Sequence, residues 1–154
     1  MFPVYLDDCS NSGTSFPVNL QIHHIAEHIP LHRHNFVEFF YVLEGTGQQR
    51  LNGQTFTLQS GVFCVILPYQ VHDITPYPGT VLVLYNCSIT LDALLDAARH
   101  PFSMNRLLFE HSDAMPAVQL SGDEQQRMLH TFREMDDEFQ NERPWREASF
   151  YAKM

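Results

Sequence analysis

The sequence predicts a mostly β protein, a small antiparallel barrel or sandwich that is followed by a helical hairpin. Two observations support this fold class. Short apolar runs separated by turn residues recur up to about residue 88, and helical patterning replaces them afterwards. The 154 residues, 44% of them hydrophobic and 18% charged, also have the size and composition of one folded domain.

Four segments carry the clearest strand signals. Residues 20–24 alternate between apolar and polar, as in a half-buried strand. Residues 36–43 are apolar except for Glu38, which is typical of a strand covered on both faces. Further apolar runs lie at residues 62–67 and 81–85, each bounded by glycine or proline.

A hairpin is predicted at Asn52-Gly53, between strand-like residues 48–51 and 55–58. Both turn residues tolerate the positive φ that a type I′ turn requires. Together these segments predict six or seven short strands, and this spacing favours a sandwich or small barrel over a parallel sheet.

The helical signals begin with Leu91, Leu94 and Leu95, which predict a short amphipathic segment. Residues 107–109 fit either a strand or a docked loop, and the sequence leaves both open. Residues 121–124, Ser-Gly-Asp-Glu, form a capping-box pattern, in which the serine hydroxyl and glutamate carboxylate bind free amides at a helix start.

Four apolar residues follow the capping pattern at spacings of four, three and four: Met128, Phe132, Met135 and Phe139. This spacing places them in one stripe on a helix. Residues 145–154 then predict a second helix without a stop signal, so we expect the chain to be part of a longer protein. The stripe packs against the strands, serves as a partner surface, or does both.

These boundaries divide the chain into three parts. We expect an N-terminal arm at residues 1–17, a ligand-binding barrel at residues 18–118 and a helical dimerisation or linker segment at residues 119–154. The arm is either a lid over the pocket or an unstructured leader.

Charge and composition exclude several functions for this chain. Its formal net charge of -9 disfavours contact with phosphate backbones, so we expect no nucleic-acid binding by the chain itself. No apolar run approaches the roughly 20 residues of a membrane span. The first eight residues lack the features of a secretory signal, and three scattered cysteines form no disulfide framework, so we expect a cytoplasmic location.

The histidines of residues 32–38 are the main candidates for a functional site. His32 and His34 are two residues apart, and Glu38 keeps the same parity, so one extended strand would present all three on one side. His72 follows a later strand and offers another imidazole. Such a set suits a divalent transition metal such as Zn, Fe, Mn, Ni or Cu, or it hydrogen-bonds a polar ligand directly.

Other polar residues lie near this candidate site in the sequence. Arg50 could reach a ligand hydroxyl or carboxylate from a neighbouring strand. Tyr41 has the opposite parity to Glu38 and should face away from the pocket. His23, His24 and His28 are interpreted as edge or surface residues, and no catalytic residue is predicted.

The spacing His32-x-His34-x3-Glu38-x6-Gly45 resembles the first cupin motif, and the segment from Gly61 to His72 resembles the second. The second motif departs internally, with Pro68 one position late and Gln70 in place of a glycine. The resemblance implies a double-stranded β-helix. In cupins that hold a metal, the positions of His32, His34, Glu38 and His72 are the ligands.

Residues 36–47, followed by Asn52-Gly53 and Gly61, resemble more particularly the amino-terminal sensing domain of AraC-type transcription regulators, and residues 83–87 resemble the rhamnose-operon type. This resemblance implies a bacterial effector sensor that binds a small polar molecule, with sugars as one class. It also implies homodimerisation through the C-terminal helices and DNA binding by modules of the full-length protein. The alternative is a metal-dependent cupin enzyme, a dioxygenase or isomerase.

Overall fold

The computed structural model describes residues 3–6, 17–97, 116–141 and 145–153. In these ranges the chain forms, in order, β1 Val4–Leu6, β2 Val18–Ile25, β3 Ile29–His34, β4 Val37–Glu44, β5 Thr46–Leu51, β6 Gln54–Gln59, β7 Val62–Ile66, β8 His72–Pro76, β9 Leu82–Ile89, α1 Leu91–Ala97, β10 Ala117–Gln119, α2 Gly122–Gln140 and α3 Arg146–Lys153.

The strands form two five-stranded sheets. The first sheet has the order β1-β3-β8-β5-β6, and the second has the order β10-β7-β4-β9-β2. Consecutive strands therefore alternate between sheets at several points, as in a jelly roll. This is the predicted cupin-type double-stranded β-helix followed by helices.

The inter-sheet core is the apolar cluster between the two inner faces. It follows from the alternation of side chains along each strand. Buried residues of both sheets contribute to it: Ile25, Phe40, Val42, Leu51, Leu58, Val62, Cys64, Ile66, Ile74, Leu82 and Leu84. Strand β4 is covered on both faces, as the sequence predicted for residues 36–43.

The turn between β5 and β6 confirms the hairpin prediction. Asn52 has a φ of 47° and Gly53 a φ of 85°, the left-handed conformation that a type I′ turn requires. Residues Thr46–Leu51 pair antiparallel with Gln54–Gln59 in unbroken register. The hairpin fixes which residues of β5 face the inter-sheet core, which matters for the site described below.

Helix α2 covers the outer face of the second sheet. Phe132 is 1% exposed and stacks on Tyr41 and Tyr85, with ring centroids 5.7 Å and 5.4 Å away. Met135 is buried in the same cluster, and Met128 and Phe139 pack against it. The predicted stripe is therefore a packing surface, and Tyr41 faces away from the inter-sheet core as expected.

Polar contacts between α2 and α3 also stabilise the helical hairpin. Lys153 Nζ lies 2.9 Å from Glu138 Oε1, which also accepts a hydrogen bond from the Ser149 hydroxyl. Phe150 of α3 is completely buried in the cluster that contains Phe132. The two helices therefore form one unit with the second sheet.

The start of α2 differs in detail from the capping-box prediction. Ser121 occupies the N-cap position, but its side chain makes no capping hydrogen bond. Instead the amide of Glu124 donates to the backbone oxygen of Ser121, at 3.2 Å. That backbone bond takes the amide that the hydroxyl was expected to bind.

Two further predictions concern residues 91–109. The short amphipathic segment is confirmed as α1, with Leu94 buried. The strand-or-loop alternative at residues 107–109 lies outside the described residues. Among the residues that are described, no helix has the length and apolarity needed to cross a membrane.

Candidate ligand and metal site

Three candidate residues meet between the sheets, and we call them the His–Glu cluster: His34, Glu38 and His72. His34 ends β3 and His72 begins β8, both in the first sheet, whereas Glu38 lies on β4 in the second sheet. The single extended strand expected for residues 32–38 is therefore wrong, because the chain bends at positions 35 and 36 and crosses between sheets. The crossing still turns His34 and Glu38 towards each other.

The three side chains are buried and close together. One ligand atom from each lies within 4.8 Å of the others. His34 Nε2 is 3.1 Å from Glu38 Oε2, and the His34 and His72 rings have centroids 5.1 Å apart. His34 and His72 are completely buried and Glu38 is 7% exposed, so water screens this cluster weakly.

Backbone carbonyls fix the tautomers of the histidines. Nδ1 of His34 lies 2.8 Å from the oxygen of Phe36, and Nδ1 of His72 lies 3.4 Å from that of Gln70. A carbonyl oxygen only accepts, so each Nδ1 carries the proton and donates it. The lone pair of each neutral imidazole is then on Nε2, as in histidines that ligate metals.

With these tautomers, the Nε2 lone pair of His34 faces a carboxylate oxygen of Glu38. The Nε2 atoms of His34 and His72 have no hydrogen-bond partner within the described part of the chain. Although His34 Nε2 is near Glu38 Oε2, a lone pair facing a carboxylate oxygen is repulsive unless a cation lies between them. A proton on His34 or a divalent metal ion supplies that cation.

The pKa values of the cluster fit metal ligation at neutral pH. Burial lowers the pKa of His72 to about 4, against the attraction of Glu38, so this imidazole is neutral. Burial opposes ionisation of Glu38, but His34, His72 and His32 together outweigh it and lower the pKa of Glu38. Neutral imidazoles and an ionised carboxylate are the protonation states that a transition metal requires.

Neighbouring residues hold the cluster in place. Asn86 Nδ2 donates to Glu38 Oε1 at 2.9 Å, which leaves Oε2 directed at His34. The ring of Phe36 stacks on His34 at a centroid distance of 4.0 Å. Supporting contacts of this kind orient ligand side chains and tune their basicity.

The turn before His72 is ordered by its own polar contacts. Gln70, which replaces the expected glycine, accepts a hydrogen bond from the Leu67 amide at 2.8 Å. The amide of Tyr69 donates to the backbone oxygen of His34 at 2.7 Å, with Tyr69 at a φ of 67°. This turn therefore ties the start of β8 to the end of β3.

His32 lies beside the cluster, at its more exposed edge. Its Cα is paired with that of His72, and the two rings have centroids 4.0 Å apart. Its Nδ1 donates to the oxygen of Pro30, at 2.8 Å, so its Nε2 also carries a lone pair. The structure thus groups His32 with His72, while the tightest set of ligand atoms comes from His34, Glu38 and His72.

Arg50 is not brought to the cluster. It points away from the inter-sheet core on β5 and forms an ion pair with Asp73. Strand alternation places its neighbour Gln49 on the inner face instead, completely buried. The sequence does not show which face of β5 turns inwards. It therefore indicated Arg50, whereas the adjacent residue Gln49 is the one on the inner face.

His23 was also misplaced from sequence. It lies on edge strand β2, as expected, but it is half-buried and faces the inter-sheet space rather than the surface. Burial lowers its pKa, while Glu38 acts in the opposite direction. By contrast, His24 and His28 are exposed as predicted. The alternation that ends in buried Ile25 is the signal that could have identified His23.

Solved structures with a similar fold include several cupins. The cupin domain of Cnp3 from Schizosaccharomyces pombe matches with a TM-score of 0.49 and 13% identity, over 54% of this chain and 63% of that one. A cupin protein from Bacteroides fragilis matches with a TM-score of 0.44 and 19% identity, over 67% and 77%. The polyketide cyclase RemF from Streptomyces resistomycificus matches with a TM-score of 0.44 and 22% identity, over 47% and 54%.

At the level of sequence, no curated protein matches this chain significantly. The family model of the AraC-like ligand binding domain matches residues 20–148, which include β3 to β10, most of β2, the His–Glu cluster and α2. The chain therefore belongs to the family of AraC-like ligand-binding domains.

Proposed function

We propose that this chain is the effector-sensing domain of a bacterial AraC-type transcription regulator that acts in the cytoplasm. The observation that carries the proposal is the buried His–Glu cluster, in which the Nε2 atoms of His34 and His72 have no hydrogen-bond partner among the described residues. Buried polar groups are costly unless they are satisfied, so such a cluster favours binding of a ligand there.

We further propose that a divalent metal ion belongs to the site. His34, Glu38 and His72 would hold it, with His32 as a fourth ligand, and Zn, Ni, Fe and Mn all suit this donor set. The metal would supply a positive charge that polarises a bound oxygen group. The protein's own part is to fix the imidazole tautomers and to exclude water.

The effector is proposed to be a small polar molecule, with monosaccharides as the leading class. Polar residues that are partly or fully exposed face the same end of the inter-sheet space as the cluster. These are Asn19, Gln21 and His23 on β2 and Asn86 on β9. Amides and imidazoles of this kind pair well with hydroxyl groups, as donors and as acceptors.

Strand β4 offers a route from the site to the helices. Its inner face carries Glu38, and its outer face carries Tyr41, which stacks on Phe132 of α2. Tyr41 also donates a hydrogen bond to the backbone oxygen of Gln125, at 3.4 Å. We propose that ligand binding biases the position of α2 and α3, through which two copies dimerise. DNA would be contacted by other parts of the full-length protein.

The N-terminal arm provides a second element near the site. Strand β1 pairs in parallel with β3, and Val4 and Leu6 lie opposite His32 and His34. All three residues of β1 are exposed. Strand β1 therefore adjoins the strand that carries two of the site's histidines. We propose that the arm covers the pocket.

The sensing proposal is tested by thermal unfolding with a panel of monosaccharides that begins with L-rhamnose and L-arabinose. A sugar at 100 times its Kd stabilises the folded state by about 2.7 kcal/mol, so the expected rise in Tm is about 5 °C or more. Glu38→Gln should lose this rise. Sedimentation of the wild type with and without the sugar then measures whether dimerisation responds.

The alternative function is a metal-dependent cupin enzyme, a dioxygenase or isomerase. The observation that favours it is the donor set, because two histidines and one carboxylate are the ligands of many non-heme iron oxygenases. A panel in which no sugar changes the Tm, together with oxygen consumption by the Fe(II)-loaded protein, would favour the enzyme over the sensor.

A further inference from the structure

Gln49 is a buried polar residue below the His–Glu cluster. Strand β5 pairs with β8, where Leu51 lies opposite His72 and Gln49 opposite Ile74, so all four face the inter-sheet core. Gln49 therefore lies two residues, or about 7 Å along the strand, farther from the cluster end. It is completely buried, although its neighbours in this layer are apolar.

The orientation of the Gln49 amide is set by Cys64. The thiol of Cys64, on β7 of the opposite sheet, donates to Gln49 Oε1 with an Sγ–O distance of 3.6 Å. Burial raises the pKa of this thiol, so it stays protonated and remains a donor. The amide nitrogen is consequently the atom left free, and Nε2 has no hydrogen-bond partner among the residues described.

The core is closed on the far side of Gln49. A Cβ at Gly47 would lie 2.8 Å from Leu82 Cδ1 and 2.7 Å from the backbone oxygen of Thr75, so backbone and side chain are in contact there. Leu58, Leu82 and Leu84 are completely buried in this part of the core. A molecule that reaches Gln49 must therefore enter from the end where the His–Glu cluster lies.

We infer that Gln49 is a specificity-determining residue whose Nε2 donates a hydrogen bond to an acceptor oxygen of the effector at the floor of the pocket. The inference rests on the proposed sensing function and adds a requirement to it. The effector must carry at least two oxygen groups, one for the His–Glu cluster and a deeper one for Gln49, which lies two residues farther along β5. A hydroxylated or carboxylated molecule of monosaccharide size meets this requirement.

The test compares Gln49→Met with Gln48→Met. Methionine keeps the unbranched shape of glutamine and removes its donor. Gln48 is the adjacent glutamine on the exposed face of β5, so its replacement makes the same chemical change outside the pocket. The probes are L-rhamnose and D-galacturonate, a neutral and an acidic monosaccharide, and calorimetry measures their Kd. The melting temperature of the ligand-free proteins is measured in parallel.

The inference predicts that Gln49→Met weakens binding of the better probe about tenfold or more, whereas Gln48→Met leaves it unchanged. It also predicts that ligand-free Gln49→Met melts about 2–4 °C higher than the wild type, because a buried donor without a partner is removed.

Equal probe affinity in Gln49→Met and wild type would overturn the inference while leaving the sensing function intact. If neither probe binds the wild type, the result counts against the proposed effector class. The melting temperatures of the ligand-free proteins then test whether Gln49 is a buried donor without a partner. A lower melting temperature in Gln49→Met would overturn the inference, because it would show that Gln49 is structural.

Discussion

The two faces of strand β4 differ in chemistry although they share one backbone. The inner face presents Glu38 to two buried imidazoles. The outer face presents Tyr41 to Phe132 in an aromatic stack that fixes α2. The inner face thus holds a buried carboxylate beside imidazole nitrogens that have no partner in the described ranges, while the outer face supplies the apolar burial that offsets their cost. Changes on the two faces should therefore have separable effects.

The largest expected effect is on the outer face. Phe132→Ala removes a ring that is 1% exposed and stacks on Tyr41 and Tyr85, so it should lower the free energy of unfolding by about 3–5 kcal/mol. Urea titration followed by circular dichroism measures this change. The exposed neighbour offers a control, and Arg133→Ala should cost less than about 0.5 kcal/mol.

The fraction of Phe132→Ala that stays folded should bind metal as the wild type does, because the ring does not contact the cluster. A loss of stability below about 1 kcal/mol would contradict the packing role of α2. Loss of metal binding by the folded fraction would show that the two faces are not separable.

A smaller effect is expected on the inner face, from acid. Burial lowers the pKa of His72 from 6.5 to about 4. As the pH falls from 6.5 towards 4, His72 is protonated in the unfolded chain but stays neutral in the folded chain, so the folded state loses stability. For this shift the loss is about 3 kcal/mol. The lowered pKa of Glu38 acts in the same direction, because its carboxylate favours the folded state only while it is ionised.

The acid effect is measured by urea titration of the metal-free protein in steps between pH 7 and pH 4. His72→Gln should lose about 3 kcal/mol less than the wild type over this range, because glutamine does not titrate. His24→Gln, which changes an exposed histidine, should follow the wild type. Parallel curves for His72→Gln and the wild type would contradict the assignment of the acid effect to His72.

Much of the fold could be predicted because local signals sufficed. The Asn52-Gly53 turn and the two-faced burial of β4 follow directly from turn chemistry and apolar patterning. The stripe on α2 follows from helical periodicity, which also identified Phe132 as part of a packing surface.

The site was harder to predict because it depends on contacts between sheets. The grouping of His34 with Glu38 was expected, but on a single strand, whereas a bend between β3 and β4 creates it. Gln49 was missed because its role depends on which face of β5 turns inwards and on Cys64 from the opposite sheet. Pairing partners that are distant in sequence leave no local pattern.

The most direct test of the central claim is the metal content of the His–Glu cluster. Wild type, His34→Ala and His24→Ala would each be loaded with Ni²⁺ or Zn²⁺, dialysed and analysed by inductively coupled plasma mass spectrometry, with circular dichroism to check folding. We predict one metal ion per chain in the wild type and in His24→Ala, and close to none in folded His34→Ala. One metal ion per chain in His34→Ala, or none in the wild type, would contradict the claim that this cluster is a metal site.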